Sequence, residues 1–279
     1  NVTSDVAALC IKSGNSVILK SGKEAKNTCE LLIKVIRSAL AKTKISPNTV
    51  VSMRDYSRQA IQCLFKMDKY VDVLVPRGGK SLVSNVRENC RIPVFSHLDG
   101  ICHTYIDKYA KKLMAIDVAF NAKMRRTSIC GATETILCHS SIADVILPDL
   151  LKKLFNNGCE VKGDLKVKKY DKRVKTATKI DWETEYLDSK VSIKIVENLD
   201  EAVFHINKYS SGHTDAIITQ NTERARIFIN QVTSAIVMHN TSTQFADGAE
   251  FGLGAEIGIS TGKLHARGPV SLDGLTTFK

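Results

Sequence analysis

Apolar residues along this chain gather in short runs separated by segments of helical spacing. The runs at 16–20 (SVILK), 71–75 (VDVLV), 92–95 (IPVF), 135–139 (TILCH), 191–196 (VSIKIV), 215–219 (DAIIT) and 234–239 (SAIVMH) predict strands, because brief, largely uninterrupted apolar stretches suit positions covered on both faces. Between them, spacing near 3.6 predicts helices over 24–42, 56–67, 80–88, 108–124, 141–156, 199–208 and 222–231. In the first of these, Leu31, Leu32, Val35, Ile36, Ala39 and Leu40 share one face. Strands alternating with helices predict an α/β fold with a largely parallel sheet. The last forty or so residues change character: Gly248, Gly252, Gly254, Gly258, Gly262 and Gly268 mark a loop-rich tail. No internal repeat or low-complexity segment interrupts the pattern.

With 279 residues, the chain can bury a large core as one large domain or two. Its 43% hydrophobic and 25% charged content predicts an ordinary soluble globular protein. No apolar run approaches the roughly 20 residues that would span a bilayer, and the first residues lack the pattern of a signal peptide. The expectation is a cytoplasmic protein without a membrane partner. Because the chain opens on Asn1 and soon enters an apolar run, it also reads as a piece of something longer. The eight cysteines are scattered, with no CxxC pair and no Cys/His spacing suited to zinc, so no metal site is predicted and most thiols are expected to be buried and reduced.

The net charge of +11 raises nucleic-acid binding as a possibility to weigh. Much of the excess is local, however: residues 162–179, KGDLKVKKYDKRVKTATK, hold eight Lys or Arg against two Asp. This stretch reads as a solvated, mobile connection rather than a binding strip, since no helix-turn-helix, aromatic RNA-binding pair or zinc finger accompanies it. Positive charge also suits phosphate-bearing small molecules.

Candidate chemistry concentrates at 121–137, NAKMRRTSICGATETIL, where Cys130 lies between small residues just after Lys123, Arg125 and Arg126. A thiol attacks as its thiolate, and nearby cations lower its pKa, so Cys130 reads as a prepared nucleophile against the plainer reading of a packed thiol. Two glycine motifs fail the usual phosphate-binding tests. PRGGKS at 76–81 has Leu74 where a P-loop needs glycine, and GLGAEIG at 252–258 misses the GxGxxG spacing. VDVLVPRGGK nevertheless predicts a strand, a Gly-Gly turn and a helix start, where backbone N–H groups can meet a phosphate.

Several blocks carry a family likeness in order along essentially the whole chain: NVTSDVAALCIKSGNSVILKSGKEA, VDVLVPRGGKSLV, IPVFSHLDGICHTYID, NAKMRRTSICGATETIL, YSSGHTDAIIT and FGLGAEIGISTGKLHARGPVSLDGLTTFK. They resemble the gamma-glutamyl phosphate reductases, also called glutamate-5-semialdehyde dehydrogenases, which are divergent members of the aldehyde dehydrogenase superfamily. The resemblance implies an aldehyde-dehydrogenase-like α/β fold. Its Rossmann-like cofactor domain would occupy 1–120, its catalytic domain 121–250, and a tail at 251–279 would belong partly to the cofactor domain and partly to oligomerisation. It implies NADPH-dependent reduction of glutamyl 5-phosphate to glutamate 5-semialdehyde in proline biosynthesis, through a thioester on Cys130 with release of phosphate. A homo-oligomer coupled functionally to glutamate 5-kinase, with no nucleic acid partner, is implied as well.

Carried over residue by residue, the resemblance puts Lys20, Ser21 and Gly22 at the adenosine ribose or its phosphate. It brings Gly78 and Gly79 to the pyrophosphate, with Arg77 and Lys80 nearby, and Glu185 to the nicotinamide ribose. Asn1 would stabilise the oxyanion. Arg126, Ser242, Thr243, His265 and Arg267 are the substrate candidates, since the substrate's carboxylate, ammonium and phosphate call for cations and hydroxyls. One departure concerns hydrolytic aldehyde dehydrogenases, which carry a water-activating glutamate in an ELGG-type segment. SHLDGICH at 96–103 lacks that base, with Asp99 the only nearby acid. A second departure is length: the family runs longer than this chain, which begins inside the cofactor domain. The alternatives are a hydrolytic aldehyde dehydrogenase and a non-enzymatic basic nucleic-acid-binding protein.

Overall fold

The computed structural model describes residues 2–278, which divide into two units: the chain up to Ser96 together with Asp247 onward, and His97–Ala246. The first unit opens with α1 (Val2–Lys12), β1 (Val17–Leu19), α2 (Lys26–Leu40), β2 (Val50–Ser52), α3 (Arg58–Leu64) and α4 (Lys80–Asn89). Strands β1 and β2 pair in parallel, Val17 opposite Val50, and α2 packs on them around Ala7, Ile33, Leu40 and Val50. The face expected on α2 is turned: Ile33, Ile36 and Leu40 point inward, while Leu31 and Val35 are 61% and 59% exposed. The expected strands at 71–75 and 92–95 reduce to a single parallel bridge between Leu74 and Val94. Pro93 accepts from Leu74 N at 2.8 Å but has no N–H with which to extend the ladder.

The second unit is a seven-stranded, all-parallel sheet made of β3 (Cys102–Ile106), β4 (Thr133–His139), β5 (Glu160–Gly163), β6 (Lys175–Thr176), β7 (Lys190–Val196), β8 (Thr214–Ile218) and β9 (Ile236–His239), in the order β6-β5-β7-β4-β3-β8-β9. Helices α5 (Lys112–Met124), α6 (Ser140–Asn156), α7 (Leu199–Tyr209) and α8 (Thr222–Gln231) cover it. Alternation along the buried strands sends Ile106, Ile136 and Cys138 into a core with Ala119, Leu147 and Leu150, and Tyr105 and Leu137 into another with Val203, Ile206 and Phe228. Two helix starts are set by asparagine caps: Asn198 Oδ1 accepts from Glu201 N at 2.8 Å and Asn221 Oδ1 from Arg224 N at 2.9 Å.

The interior strand β3, CHTYI, is missing from the strands expected from the sequence because His103 and Thr104 break its apolar run. Both are fully buried and bonded sideways: His103 N donates to Asp215 Oδ1 at 2.7 Å with its Nδ1 3.1 Å from the same oxygen, and Thr104 Oγ1 lies 2.7 Å from Thr133 Oγ1, while His103 Nε2 has no hydrogen-bond partner among the described residues. The boundary expected at residue 120 therefore moves. Residues 97–120 belong to the second unit because β3 is flanked there by β4 and β8, and the old boundary falls inside α5. The basic stretch at 162–179 is likewise ordered, contributing to β5 and β6, and its cations meet acids: Lys162 with Asp181 at 2.5 Å, Lys175 with Glu160 at 2.5 Å, and Lys166 with Glu197.

From Asp247 onward the chain returns to the first unit, where β10 (Ile259–Ser260) and β11 (Gly268–Pro269) pair antiparallel. Asn15 Nδ2 ties the tail down by donating to Leu275 O at 2.7 Å, over a core of Leu9, Phe95, Ile257 and Val270. No helix among the described residues is long and apolar enough to cross a membrane.

Candidate active site

Cys130 lies in the turn between α5 and β4, half-buried, with its backbone held on two sides. A β-carbon added at Gly100 would fall 2.2 Å from the Cys130 carbonyl oxygen and 2.6 Å from its Cα, so only glycine allows this approach. On the following residue, a β-carbon at Gly131 would come within 3.1 Å of the Thr243 carbonyl oxygen. The carbonyl of Cys130 also accepts from Cys102 Sγ at 3.1 Å. Burial pushes the Cys102 thiol well above its usual range, so this second cysteine stays protonated and acts as a donor.

Two imidazoles accompany the Cys130 thiol. One ring nitrogen each of His97 and His213, together with Cys130 Sγ, lie within 4.8 Å of one another, and the two rings meet edge to face at 4.9 Å. His213 is fully buried, and burial, then the neighbouring His97, holds its pKa down at about 3, so the ring is neutral. Its Nδ1 sits 2.9 Å from Thr214 Oγ1, while its Nε2 has no hydrogen-bond partner among the described residues. Gly100, Cys130 and His213 all immediately precede or closely approach the starts of β3, β4 and β8. The cluster therefore occupies the amino edge of the parallel strands, opposite to the carboxyl edge where open α/β sheets usually bind ligands.

Neither histidine was assigned a role from the sequence. A signal existed for His97: aligning HLDG at 97–100 with the ELGG-type segment sets His97 where the water-activating glutamate stands, so the position carries a possible base after all. For His213 there was none, because 83 residues separate it from Cys130 and only the sheet brings them together.

Glu185 approaches the same loop, its Oε1 accepting from Gly100 N at 2.7 Å. The segment bearing it is anchored by a buried ion pair, Lys123 Nζ to Glu134 Oε2 at 2.5 Å, whose other carboxylate oxygen accepts from Leu187 N at 3.2 Å. Burial pushes Glu134 up to about 7 against the pull of Lys123. This corrects the expectation that Lys123 is a cation serving Cys130: it is fully buried and neutralises Glu134 instead. Arg125 stacks over Phe245 at 4.7 Å, and Arg126 is exposed without a hydrogen bond or ion pair among the described residues.

Two substrate candidates are structural in this conformation. Thr243 is fully buried with its hydroxyl 2.9 Å from Thr133 Oγ1, and Ser242, 4% exposed, caps a short 3-10 turn by accepting from Gln244 N. Thr243 packs closely beneath Gly131, beside the Cys130 loop, rather than opening to solvent.

The remaining candidates belong to the first unit. Lys20 and Ser21 follow β1 and gather at Tyr56: Lys20 Nζ lies 5.7 Å from its ring centroid, Lys26 Nζ 5.1 Å, and Ser21 Oγ 3.5 Å from its hydroxyl. Tyr56 and Lys26 were not predicted. Gly22 is exposed beside Glu24. Gly79 is the N-cap of α4 without any side-chain cap, preceded by Gly78. In the tail, His265 and Arg267 are exposed, and His265 Nε2 sits 3.2 Å from Thr276 O. Asn1 lies outside the described residues.

No family model matches the chain. It is 50% identical over 279 residues to the gamma-glutamyl phosphate reductase of Rhodospirillum rubrum, covering all of this chain and 65% of that protein. The chain thus spans somewhat less than two thirds of that relative's length. The crystal structure of gamma-glutamyl phosphate reductase from Thermotoga maritima superposes with a TM-score of 0.96 at 41% identity, over 100% of this chain and 67% of that one. An acetylating aldehyde dehydrogenase from Geobacillus thermoglucosidasius shares the fold, with a TM-score of 0.74 at 16% identity over 99% of this chain and 71% of that one.

Proposed function

The chain belongs to the gamma-glutamyl phosphate reductase family, and from that premise we propose that the protein reduces L-glutamyl 5-phosphate to L-glutamate 5-semialdehyde with release of phosphate, in proline biosynthesis. The observation that carries this reading is the Cys130 loop, a half-buried thiol fixed by Gly100 and Cys102 beside two imidazoles. Cys130 Sγ attacks the acyl phosphate carbonyl, the bond to phosphate breaks, and a thioester to Cys130 remains. His97, with a ring nitrogen within 4.8 Å of the thiol, takes its proton. Glu134 and Lys123 act at a distance by holding the segment that carries Glu185.

The first unit has features that fit a phosphorylated dinucleotide. An uncapped start to α4 at Gly78 and Gly79 suits a pyrophosphate, and the cations Lys20 and Lys26 around Tyr56 suit a ribose phosphate with an adenine nearby. These residues would hold NADPH, which when bound supplies the hydride that reduces the thioester. The carbon–sulfur bond of the resulting thiohemiacetal then breaks, freeing the aldehyde, and the departing Cys130 sulfur takes back its proton. Arg126, exposed on the nucleophile loop, together with His265 and Arg267, are the exposed side chains retained as substrate candidates. A cytoplasmic homo-oligomer coupled to glutamate 5-kinase completes the proposal.

The test is the reverse reaction, reduction of NADP+ by glutamate 5-semialdehyde with and without phosphate, in the protein and its Cys130→Ala variant. Phosphate-dependent activity that disappears with Cys130 is expected. A second reading, hydrolytic oxidation of an aldehyde, draws on His97 as a base at the glutamate's position. It predicts NADP+ reduction that needs no phosphate, and that result would replace the first reading.

A further inference from the structure

We propose that His97, Cys130 and His213 form a binding site for a divalent cation of the zinc class, and that the bound metal reversibly blocks the nucleophile. The blocking step rests on Cys130 being the nucleophile; the metal site itself does not. One thiol and two imidazoles are the donor set that selects zinc and its neighbours over magnesium or calcium. Their three donor atoms already lie within 4.8 Å of one another. Metal–ligand distances of about 2.0 to 2.3 Å in a tetrahedron need donor separations near 3.5 Å, so a contraction of roughly 1 Å closes the site. His97, half-buried at the start of its unit, can supply that movement; His213 cannot, being fully buried.

A second observation points to a ligand. His213 Nε2 is buried without a hydrogen-bond partner among the described residues, which leaves it available to a ligand. Its Nδ1 meets the Thr214 hydroxyl at 2.9 Å, the kind of outer contact that fixes a ligating imidazole's tautomer. Three protein donors leave the fourth tetrahedral position to water. Binding converts the Cys130 thiol to a metal-bound thiolate and releases one proton to solvent. No redox change is involved. A sulfur lone pair committed to the metal is unavailable to an acyl carbonyl, so the site would silence catalysis until the metal is removed.

Cobalt(II) is the probe, because tetrahedral thiolate coordination gives it visible d–d bands and a near-ultraviolet sulfur-to-metal charge-transfer band. Titrating the chelator-treated protein with Co2+ should produce both bands at one equivalent, and Zn2+ should abolish them by displacement. Cys130→Ser should lose the charge-transfer band. His97→Ala and His213→Asn should each weaken Co2+ binding at least about tenfold, the lower range seen for loss of even an outer-shell contact, with melting curves identifying any variant that fails to fold. Absence of the charge-transfer band, its survival in Cys130→Ser, or undiminished binding in both folded histidine variants would overturn the site. Metal binding without any reductase activity leaves the site standing and removes the function proposed above. Cys130-dependent activity that saturating Zn2+ does not inhibit removes the blocking role.

Discussion

The Cys130 loop and the loops around Lys20 and Gly79 are built in opposite ways. Around Cys130 almost every backbone approach is filled: a glycine on each side, a buried thiol donating to the carbonyl, and a buried ion pair anchoring the neighbouring segment. Around Lys20 and Gly79 the neighbours are the ends of flexible side chains, Glu24 beside Gly22 and Leu82 beside Gly78, and a β-carbon at Gly79 would touch nothing within 4 Å. Bond-forming chemistry tolerates little displacement, and a shift of about 1 Å can lower a rate some 10²-fold. Phosphate recognition by backbone N–H groups and flexible cations tolerates much more. The difference predicts that substitutions in the second unit act on stability and turnover, and those in the first unit mainly on cofactor affinity.

The largest effect should follow Lys123→Met, which leaves the buried Glu134 carboxyl without its cation, so that it must either stay charged and unpaired or take up a proton. A stability loss of about 3–5 kcal/mol is expected in urea denaturation, with much of it recovered in Lys123→Met/Glu134→Leu, where the pair is replaced by apolar groups. Full activity and unchanged stability in the single variant would mean that the pair supports nothing. Next comes Gly100→Ala. Its β-carbon meets the Cys130 backbone at 2.2 Å, so turnover should fall about 10²-fold while the apparent affinity for NADPH stays as it was. A fall in affinity with turnover intact would reverse the contrast between the two loops.

Asp181 gives an effect of intermediate size and a definite sign with pH. Burial pushes its pKa up, but Lys162, the Thr178 N–H and hydroxyl, and the Tyr186 hydroxyl outweigh it and hold the carboxyl at about 2, below the ordinary 3.8. The group therefore contributes stability that is present above about pH 4 and lost as pH falls toward 2, on the order of 2 kcal/mol. Asp181→Asn should be the less stable protein at pH 6 and should converge with the parent near pH 2. The smallest effect belongs to Lys20→Ala. It should raise KM for NADPH about tenfold, leave kcat unchanged, and affect NADH far less, as expected for a surface cation meeting one extra phosphate.

Much of the second unit could be read from its apolar runs, because parallel strands covered on both faces are nearly continuous stretches of Val, Ile and Leu. Strand β3 escaped because His103 and Thr104 find partners sideways, in Asp215 and Thr133, which periodicity cannot register. The α2 face was mispredicted because Leu31 and Val35 stand on the outer side while Ile33 points in. In the site, Cys130 was marked as a candidate by its local block. His213 and Cys102 did not, since they reach the loop only through the pairing of β3 with β4 and β8. Thr243 looked available because a hydroxyl in a sequence carries no mark of being buried against Thr133.

The most direct test of the account is mass spectrometry of the protein held with glutamate 5-semialdehyde and NADP+ in the absence of phosphate. Oxidation should stop at the thioester, so the account predicts a glutamyl adduct on the peptide containing Cys130, cleared when phosphate is added. An adduct on another cysteine, or turnover with phosphate but no adduct without it, would contradict Cys130 as the nucleophile.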